Sequence, residues 1–451
     1  MAPRAHLLSN GRYTVMINSA GSGFSRWQNL AVTRWREDPT CDAFGSYVLL
    51  RDLNSWAVWS AGAPPCGHEL EACTANLTEG RAELARRDGT VAATLEIAVP
   101  RDVDAEVRRI TIANHGNSMR EIDLTSYAEL VLGSAAADAA HPAFSKMFVQ
   151  TEWVQQPGVL LATRRRRGPD EPNVWAAHFA ALDAPDAHAH EYETDRARFL
   201  GRGRGLRNAV AMEHGATLSN TVGSVLDPVF SLRRRVRIAP GERAQVSFWT
   251  LLANSRDEAL ARCEPLFRVD ACERAFADAI DHETAERARL GIDSGQAECF
   301  QRLVAPLLYA NAAWRSPPEV LERGAGGAPV LWARGISGDQ PIVLIRIADE
   351  ANLDKVHELL LAQRYWQSKR LSVDVVMLNT ALDSAADKLQ AMLETLQIAQ
   401  RSYLIADSGL MHADTFAIRD GEITVALRDG LATVARIVID ASIDGIGSHA
   451  R

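Results

Sequence analysis

Two Arg/Trp pairs, Arg26 with Trp27 and Arg34 with Trp35, lie with several carboxylates in the polar stretch of residues 19–52. A tryptophan ring can stack on the C–H face of a pyranose, while arginine and aspartate can hydrogen-bond its hydroxyl groups. This composition is therefore suited to contact with a sugar. The alternative interpretation is an ordinary strand-and-turn region with structural tryptophans and surface ion pairs, because surface charges are usually only solvated.

Carboxylates in the same stretch raise the possibility of a self-sufficient glycan hydrolase, since glycoside cleavage needs a flanking pair of acids. Glu37, Asp38 and Asp42 are the candidates. Adjacent Glu37 and Asp38 in a strand would point to opposite faces, and Asp38 could approach Asp42 only across a turn. This spacing is the weakness of the hydrolase hypothesis.

The sequence predicts that the first 250 residues, which must position these side chains, consist almost entirely of β-strands. Residues 122, 124, 128, 130 and 132 are apolar and alternate with Glu121, Asp123, Thr125 and Glu129, as in a half-buried strand. Many strands with few intervening helices predict a large, two-sheeted antiparallel sandwich. Further strands are predicted at 91–99, 107–113, 159–163, 174–180, 228–238 and 244–252.

The pattern changes near Arg256, and helical spacing predicts a linker over 256–322, with 299–314 as one of its helices. Residues 323–329 form a flexible break, and 323–451 alternate strands with helices, which predicts a small domain with a mostly parallel sheet. The remaining 1–255 form the sandwich domain. Strands are predicted at 341–347, 372–378, 402–406 and 437–440, and helices at 352–365 and 384–400.

Composition excludes several classes of function. The net charge of -8 argues against general binding to nucleic acid or to a membrane surface. No apolar run reaches the roughly 20 residues that cross a bilayer, and the N-terminus lacks the apolar core of a signal peptide, so a cytoplasmic location is expected. The six cysteines form no CxxC pair, His188 and His190 lack a third ligand, and no nucleotide-binding glycine motif follows a strand. We therefore predict neither a metal nor a cofactor.

Arginine-rich segments at 164–167, 201–207 and 233–237 carry no interleaved aromatic platform, so they do not indicate nucleic acid. Arginines alternating along a strand are commonly its solvated face. The glycines of 201–207 leave its amides open to an anion or a sugar hydroxyl, but a structural loop is the favoured interpretation.

Several ordered motifs occur in the β half: YTVMINSAGSGFSRW, LAVTRWREDPTCDAFGSYVLLRD and VWSAG, followed by EVRRITIANHG, HPAFSKMFVQTEW and SLRRRVRIAPGE. Together they resemble the N-terminal sandwich of the inverting disaccharide phosphorylase family, which includes cellobiose and chitobiose phosphorylases and cyclic β-1,2-glucan synthase. LWARGISGDQPIVLIRI and YWQSKRLSVDVVMLN resemble the α/β segment that the β-1,2-glucan branch places before its catalytic barrel. The similarity fades after about Leu382.

The resemblance implies a galactose-mutarotase-like super-sandwich, a helical linker and an (α/α)6 barrel, in which an aspartic acid protonates the glycosidic oxygen while phosphate attacks. No DWND-like segment that could supply this acid occurs in the sequence. We therefore expect a fragment or accessory portion that is inactive alone, and assign no catalytic residue. The parent hexosyltransferase would be associated with the inner membrane.

In related phosphorylases the sandwich packs against the barrel and, in dimers, helps to cover the neighbouring active site. The resemblance thus makes polar and aromatic residues of the 19–52 stretch candidates for contact with a β-glucan oligosaccharide or with a helical barrel domain. A homodimer is a further possibility, and a purely structural docking module remains an alternative. The candidates are Arg26, Trp27, Arg34, Trp35, Asp38, Asp42 and Tyr47.

Overall fold

The computed structural model describes residues 4–38, 40–63, 65, 72–169, 171–182, 190–324, 329–408 and 413–443. The chain divides into two compact units, one of His6–Thr284 and one of Met1–Ala5 with Ala285–Arg451. We call them the sandwich unit and the α/β unit. None of the described helices combines the length and the apolar character that a membrane span requires.

The sandwich unit contains two large sheets, and the predicted antiparallel sandwich is confirmed. Strands β1–β6, β11, β15 and β16 form a nine-stranded sheet, and the other strands form an eight-stranded sheet. The strands are β1 (Ala5–Ser9), β2 (Tyr13–Asn18), β3 (Gly23–Trp27), β4 (Leu30–Thr33), β5 (Tyr47–Asp52), β6 (Val58–Ser60), β7 (Ala72–Thr78), β8 (Arg81–Asp88), β9 (Val91–Ala98), β10 (Ala105–Asn114), β11 (Arg120–Gly133), β12 (Val149–Val154), β13 (Val159–Arg164), β14 (Trp175–Leu182), β15 (Glu191–Asp195), β16 (Pro228–Ile238) and β17 (Arg243–Ala253).

Short helices follow β11 and β15, and two longer ones follow β17. They are α1 (Ala135–Ala140), α2 (Pro142–Lys146), α3 (Arg196–Leu200), α4 (Arg256–Cys263) and α5 (Ala271–Leu290). Cys263 and Phe276 pack with Phe179 and Trp249, so these helices cover the eight-stranded sheet on the face opposite the inter-sheet core.

The polar face of the long strand β11 is buried, which corrects the prediction of a half-buried strand. Asp123 and Thr125 are both 0% exposed, although Ile122 and Leu124 already face the core between the sheets. The physical reason is a second cluster, in which Phe199 and Met212 pack on Tyr127 and so cover this face.

The arginines of β16 lie on the predicted solvated face only in part, since Arg237 is exposed but Arg235 is half-buried. Arg233 and Arg234 are buried. Arg233 donates to Glu191 and to the backbone oxygens of Ala211 and Ala216, which belong to the segment of residues 199–218 that covers β11; we call it the covering segment. Arg235 donates to the buried Asp123 at 2.7 Å. These arginines therefore tie the covering segment and the sheet together.

The α/β unit contains a four-stranded parallel sheet of order β20-β19-β18-β21. Its strands are β18 (Ile342–Ile347), β19 (Asp374–Asn379), β20 (Thr415–Arg419) and β21 (Ile437–Asp440). Its helices are α6 (Ser294–Arg302), α7 (Val304–Leu308), α8 (Pro318–Arg323), α9 (Pro329–Trp332), α10 (Leu353–Ser368), α11 (Asp383–Ser408) and α12 (Val425–Val434). The single helix predicted at 299–314 is broken, since α6 and α7 are separate and a 3-10 turn follows at Ala312–Trp314.

The strand predicted at 402–406 is wrong, because these residues continue α11. Leu393, Gln400 and Leu404 are buried at helical spacing, whereas Ile405 is 77% exposed. A short apolar run is ambiguous between strand and helix, and here the helical packing prevails. The third strand is instead Thr415–Arg419.

Candidate functional site

Strand β3 separates its side chains into two sets, because successive residues of a strand point to opposite faces. Phe24 and Arg26 line a surface pocket. Trp27 is only 3% exposed, belongs to the core between the sheets, and donates its indole N–H to Asp104 at 2.7 Å. Trp27 therefore offers no ring face to a ligand, and its place in our candidate set is corrected to a structural one.

The surface pocket brings together Arg26, Arg34 and Trp35 from the candidate set, with Phe24 beside them. We call it the Arg26 pocket. It is a shallow recess with a cavity volume of about 30 Å³, and helix α1 contributes a wall through Asp138 and neighbouring alanines. Trp35 follows β4 and is half-buried, with its ring centroid 5.5 Å from that of Phe24 in an edge-on arrangement. Phe24 is only 4% exposed, so Trp35 is the ring that the C–H face of a ligand can reach.

Arg26 carries a half-buried guanidinium in this pocket. Its central carbon lies 4.4 Å from the centroid of the Phe24 ring, a cation–π geometry. Within the described ranges no carboxylate forms an ion pair with Arg26, and burial lowers the pKa of its guanidinium. The site thus holds a cation whose hydrogen-bond donors are available to a ligand.

Arg34 is almost fully buried and forms the best-connected ion pairs of the site. It donates to Glu129 at 2.7 Å and to both carboxylate oxygens of Asp138 at 2.8 and 3.0 Å. Burial alone would lower the pKa of Arg34, but the hydrogen bonds to Asp138 and the charge of Glu129 outweigh it and raise the pKa above its ordinary value. Arg34 therefore links β4, β11 and α1, and acts on the pocket by holding its wall.

Asp38, Asp42 and Tyr47 shape the loop between β4 and β5. Asp38 accepts from the backbone N–H of Thr40 at 2.8 Å, and its hydrogen bonds to Thr40 and Cys41 lower its pKa to about 2. Asp42 accepts from Asn18 at 2.8 Å, and the buried Tyr47 donates to the Asp42 carbonyl at 2.7 Å. These contacts give all three residues a structural role in the loop, and none of them lines the Arg26 pocket.

Phe24 and Asp138 are site residues that our sequence reasoning missed. Phe24 could have been found, since it stands two residues before Arg26 on the same strand face. Asp138 carries no local signal, because it lies 104 residues from Arg34 along the chain. In the described ranges no group of three or more metal-ligating side chains occurs.

The sandwich unit thus consists of two large antiparallel sheets with a polar and aromatic pocket on its surface. Residues 1–266 match the model of the glycosyl hydrolase 94 supersandwich domain. The chain belongs to this family, and the predicted resemblance is confirmed.

The chain is also similar to curated proteins that act on carbohydrates by name. Cyclic β-(1,2)-glucan synthase NdvB of Rhizobium meliloti is 36% identical over 92% of this chain, which corresponds to 14% of its own length. N,N'-diacetylchitobiose phosphorylases of Vibrio proteolyticus and Vibrio furnissii are 25% and 26% identical over 55% and 65% of this chain, or 30% and 36% of theirs. The chain thus spans about a seventh to a third of the length of these relatives.

Proposed function

We propose that this chain is an accessory, carbohydrate-binding portion of a β-glucan-active glycosyltransferase or phosphorylase, and that it is not catalytically complete alone. The Arg26 pocket is its glycan contact, with a β-glucan oligosaccharide as partner. Arg26 and Trp35 are the contact residues, and Arg34 is a positioning residue.

The observation that carries this proposal is the guanidinium of Arg26, which lies beside Phe24 and Trp35 without a carboxylate partner in the described ranges. Its N–H groups can donate to sugar hydroxyls, and the half-buried ring of Trp35 can pack against the C–H face of the same sugar. The cavity volume of about 30 Å³ makes the pocket a shallow recess, so a sugar unit would lie across it at the surface.

A hydrolase based on Asp38 and Asp42 is a poorer interpretation of the same stretch. A general acid for glycoside cleavage needs a raised pKa so that it holds a proton near neutral pH. Asp38 instead has a pKa of about 2 and is held by the turn at Thr40, while Asp42 accepts the amide of Asn18. These carboxylates serve the loop, which supports the non-catalytic proposal.

Isothermal titration calorimetry with β-1,2-gluco-oligosaccharides tests the proposal on the full chain. We expect millimolar or tighter binding that weakens about fivefold or more in Trp35→Ala and in Arg26→Met, since an aromatic contact contributes roughly 1 kcal/mol. Trp332→Ala is the matched control, because Trp332 is 60% exposed and lies in the α/β unit.

Two results would change the assignment. Absence of binding at millimolar sugar would favour a docking module for a helical domain. Release of glucose, or of glucose 1-phosphate in the presence of phosphate, would contradict the non-catalytic role.

A further inference from the structure

The Arg26 pocket is too small to enclose a pyranose ring. Its cavity volume is about 30 Å³, whereas sites that enclose small molecules typically measure roughly 300–1,000 Å³. A sugar that lies across the recess can therefore place only a substituent inside it. The charges that line the recess decide which kind of substituent is favoured.

Most of the charged groups at this pocket cancel one another. Arg34 belongs to a connected network of three cations and three carboxylates, so the network is neutral and Arg34 brings no net charge to the recess. The ion pairs have N···O distances between 2.6 and 3.6 Å and join Arg34, Lys146 and Arg196 with Glu129, Asp138 and Asp227.

Two lining arginines, Arg26 and Arg36, stand outside this network. In the part of the chain that the structure describes, neither forms an ion pair with a carboxylate. Although the whole chain has a net charge of -8, the recess therefore carries an excess of two positive charges. An anionic group would compensate them, and a neutral hydroxyl would not.

The hydrogen-bond donors of both arginines reach the surface. Arg36 is exposed. Arg26 is half-buried, but the buried nitrogens that lack a partner among the described residues belong to other side chains, such as Arg108 and Arg120. A guanidinium presents its N–H groups as a planar fork that matches the oxygens of a carboxylate or a phosphate. Such charge-assisted hydrogen bonds are about twice as strong as those to a neutral hydroxyl.

We infer that the Arg26 pocket takes an oxyanion that is part of the bound glycan, so that its ligand class is an acidic oligosaccharide with a carboxylate or phosphoryl substituent. Arg26 and Arg36 bind the anion, and Trp35 packs against the sugar ring that carries it. This inference rests on the proposed function of the same pocket and adds the charge of the ligand to it.

Isothermal titration calorimetry of the full chain with three matched disaccharides tests the inference. The neutral probe is sophorose, the β-1,2-linked glucose disaccharide. The acidic probes carry a carboxylate in place of the C6 hydroxymethyl group of its non-reducing glucose, or a phosphate on that C6 hydroxyl. We expect at least one acidic probe to bind about tenfold more tightly than sophorose at low ionic strength. Added salt should reduce this difference, because it screens charges near the surface.

Two variants remove the charges that bind the anion. Arg36→Gln should lower the charge preference, which is the Kd for sophorose divided by the Kd for the tighter acidic probe, to about threefold or less. Its affinity for sophorose should stay unchanged, because Arg36 contacts the anion and not the sugar ring. Arg26→Gln should lower the same ratio. Arg243→Gln is the matched control, at an exposed arginine at the start of β17 that does not line the pocket, and should leave the ratio unchanged. Thermal unfolding of each variant controls for loss of fold.

Three outcomes would overturn the inference and leave the proposed function standing. The first is equal affinity for sophorose and both acidic probes. The second is an unchanged charge preference in folded Arg26→Gln and Arg36→Gln. The third is binding of acetate or inorganic phosphate as tight as that of the acidic probes, which would indicate an anion site that ignores the sugar. Failure of all three disaccharides to bind would contradict the proposed function itself, and the inference with it.

Discussion

Replacing Arg34 with alanine will destabilise the sandwich unit by about 3–5 kcal/mol. Its guanidinium is 4% exposed and donates to two carboxylates, those of Glu129 and Asp138, which are 7% and 5% exposed. The alanine variant leaves Asp138 without its bidentate partner, whereas Glu129 keeps its ion pair with Arg196. Most of the lost stability comes from the buried carboxylate of Asp138, whose charge no longer has its arginine partner.

Urea unfolding followed by tryptophan fluorescence measures this loss. Arg36→Ala is the matched control: Arg36 is exposed two residues further on, and its truncation should change the unfolding free energy by less than about 0.5 kcal/mol. Arg34→Ala combined with Asp138→Ala should recover part of the loss, because the unpaired carboxylate is removed as well.

The pH dependence gives an independent check of the same ion pairs. Burial would raise the pKa of Glu129, but the charges of Arg196 and Arg34 lower it below its ordinary 4.5. The stability that Glu129 contributes is therefore present above that value and is lost as the pH falls through the lowered one. The difference between wild type and Arg34→Ala should shrink in acid. A variant within about 1 kcal/mol of wild type that loses oligosaccharide binding would refute the structural role.

Three further predictions concern buried titratable groups. Burial lowers the pKa of His178 to about 3, so the unfolding free energy should fall by about 2 kcal/mol between pH 6.5 and pH 4.5. An equal pH dependence of the unfolding free energy in wild type and His178→Gln would contradict this. Burial raises the pKa of Asp374 to about 6, so the unfolding free energy of Asp374→Asn should gain about 2 kcal/mol relative to wild type between pH 4 and pH 8. A difference in unfolding free energy that stays constant over this range would contradict it. Burial raises the pKa of Cys263 to about 12, so a thiol reagent at neutral pH should modify exposed Cys41 and spare Cys263, as peptide mass mapping would show; equal labelling would refute this.

Most strands could be predicted from the sequence because their signal is local. The prediction of 228–238 coincides with β16, Pro228–Ile238, since alternation and flanking turn residues are read within a few positions. The run at 402–406 was misassigned because a short, mostly apolar run fits a buried strand as well as the end of a long helix. Only packing along α11 separates the two.

By itself, the sequence determined the sandwich, the alternating α/β half, the family resemblance and the residue types suited to sugar contact. The tertiary structure decided which of those residues reach a pocket. Trp27 and Trp35 are equivalent as residue types, yet one lies in the core and the other at the surface. Arg34 looked like a ligand-binding arginine until its partners, 95 and 104 residues away, came beside it in the folded sheet. Contacts at such separations depend on strand pairing and helix placement, and a local pattern of residues does not encode them.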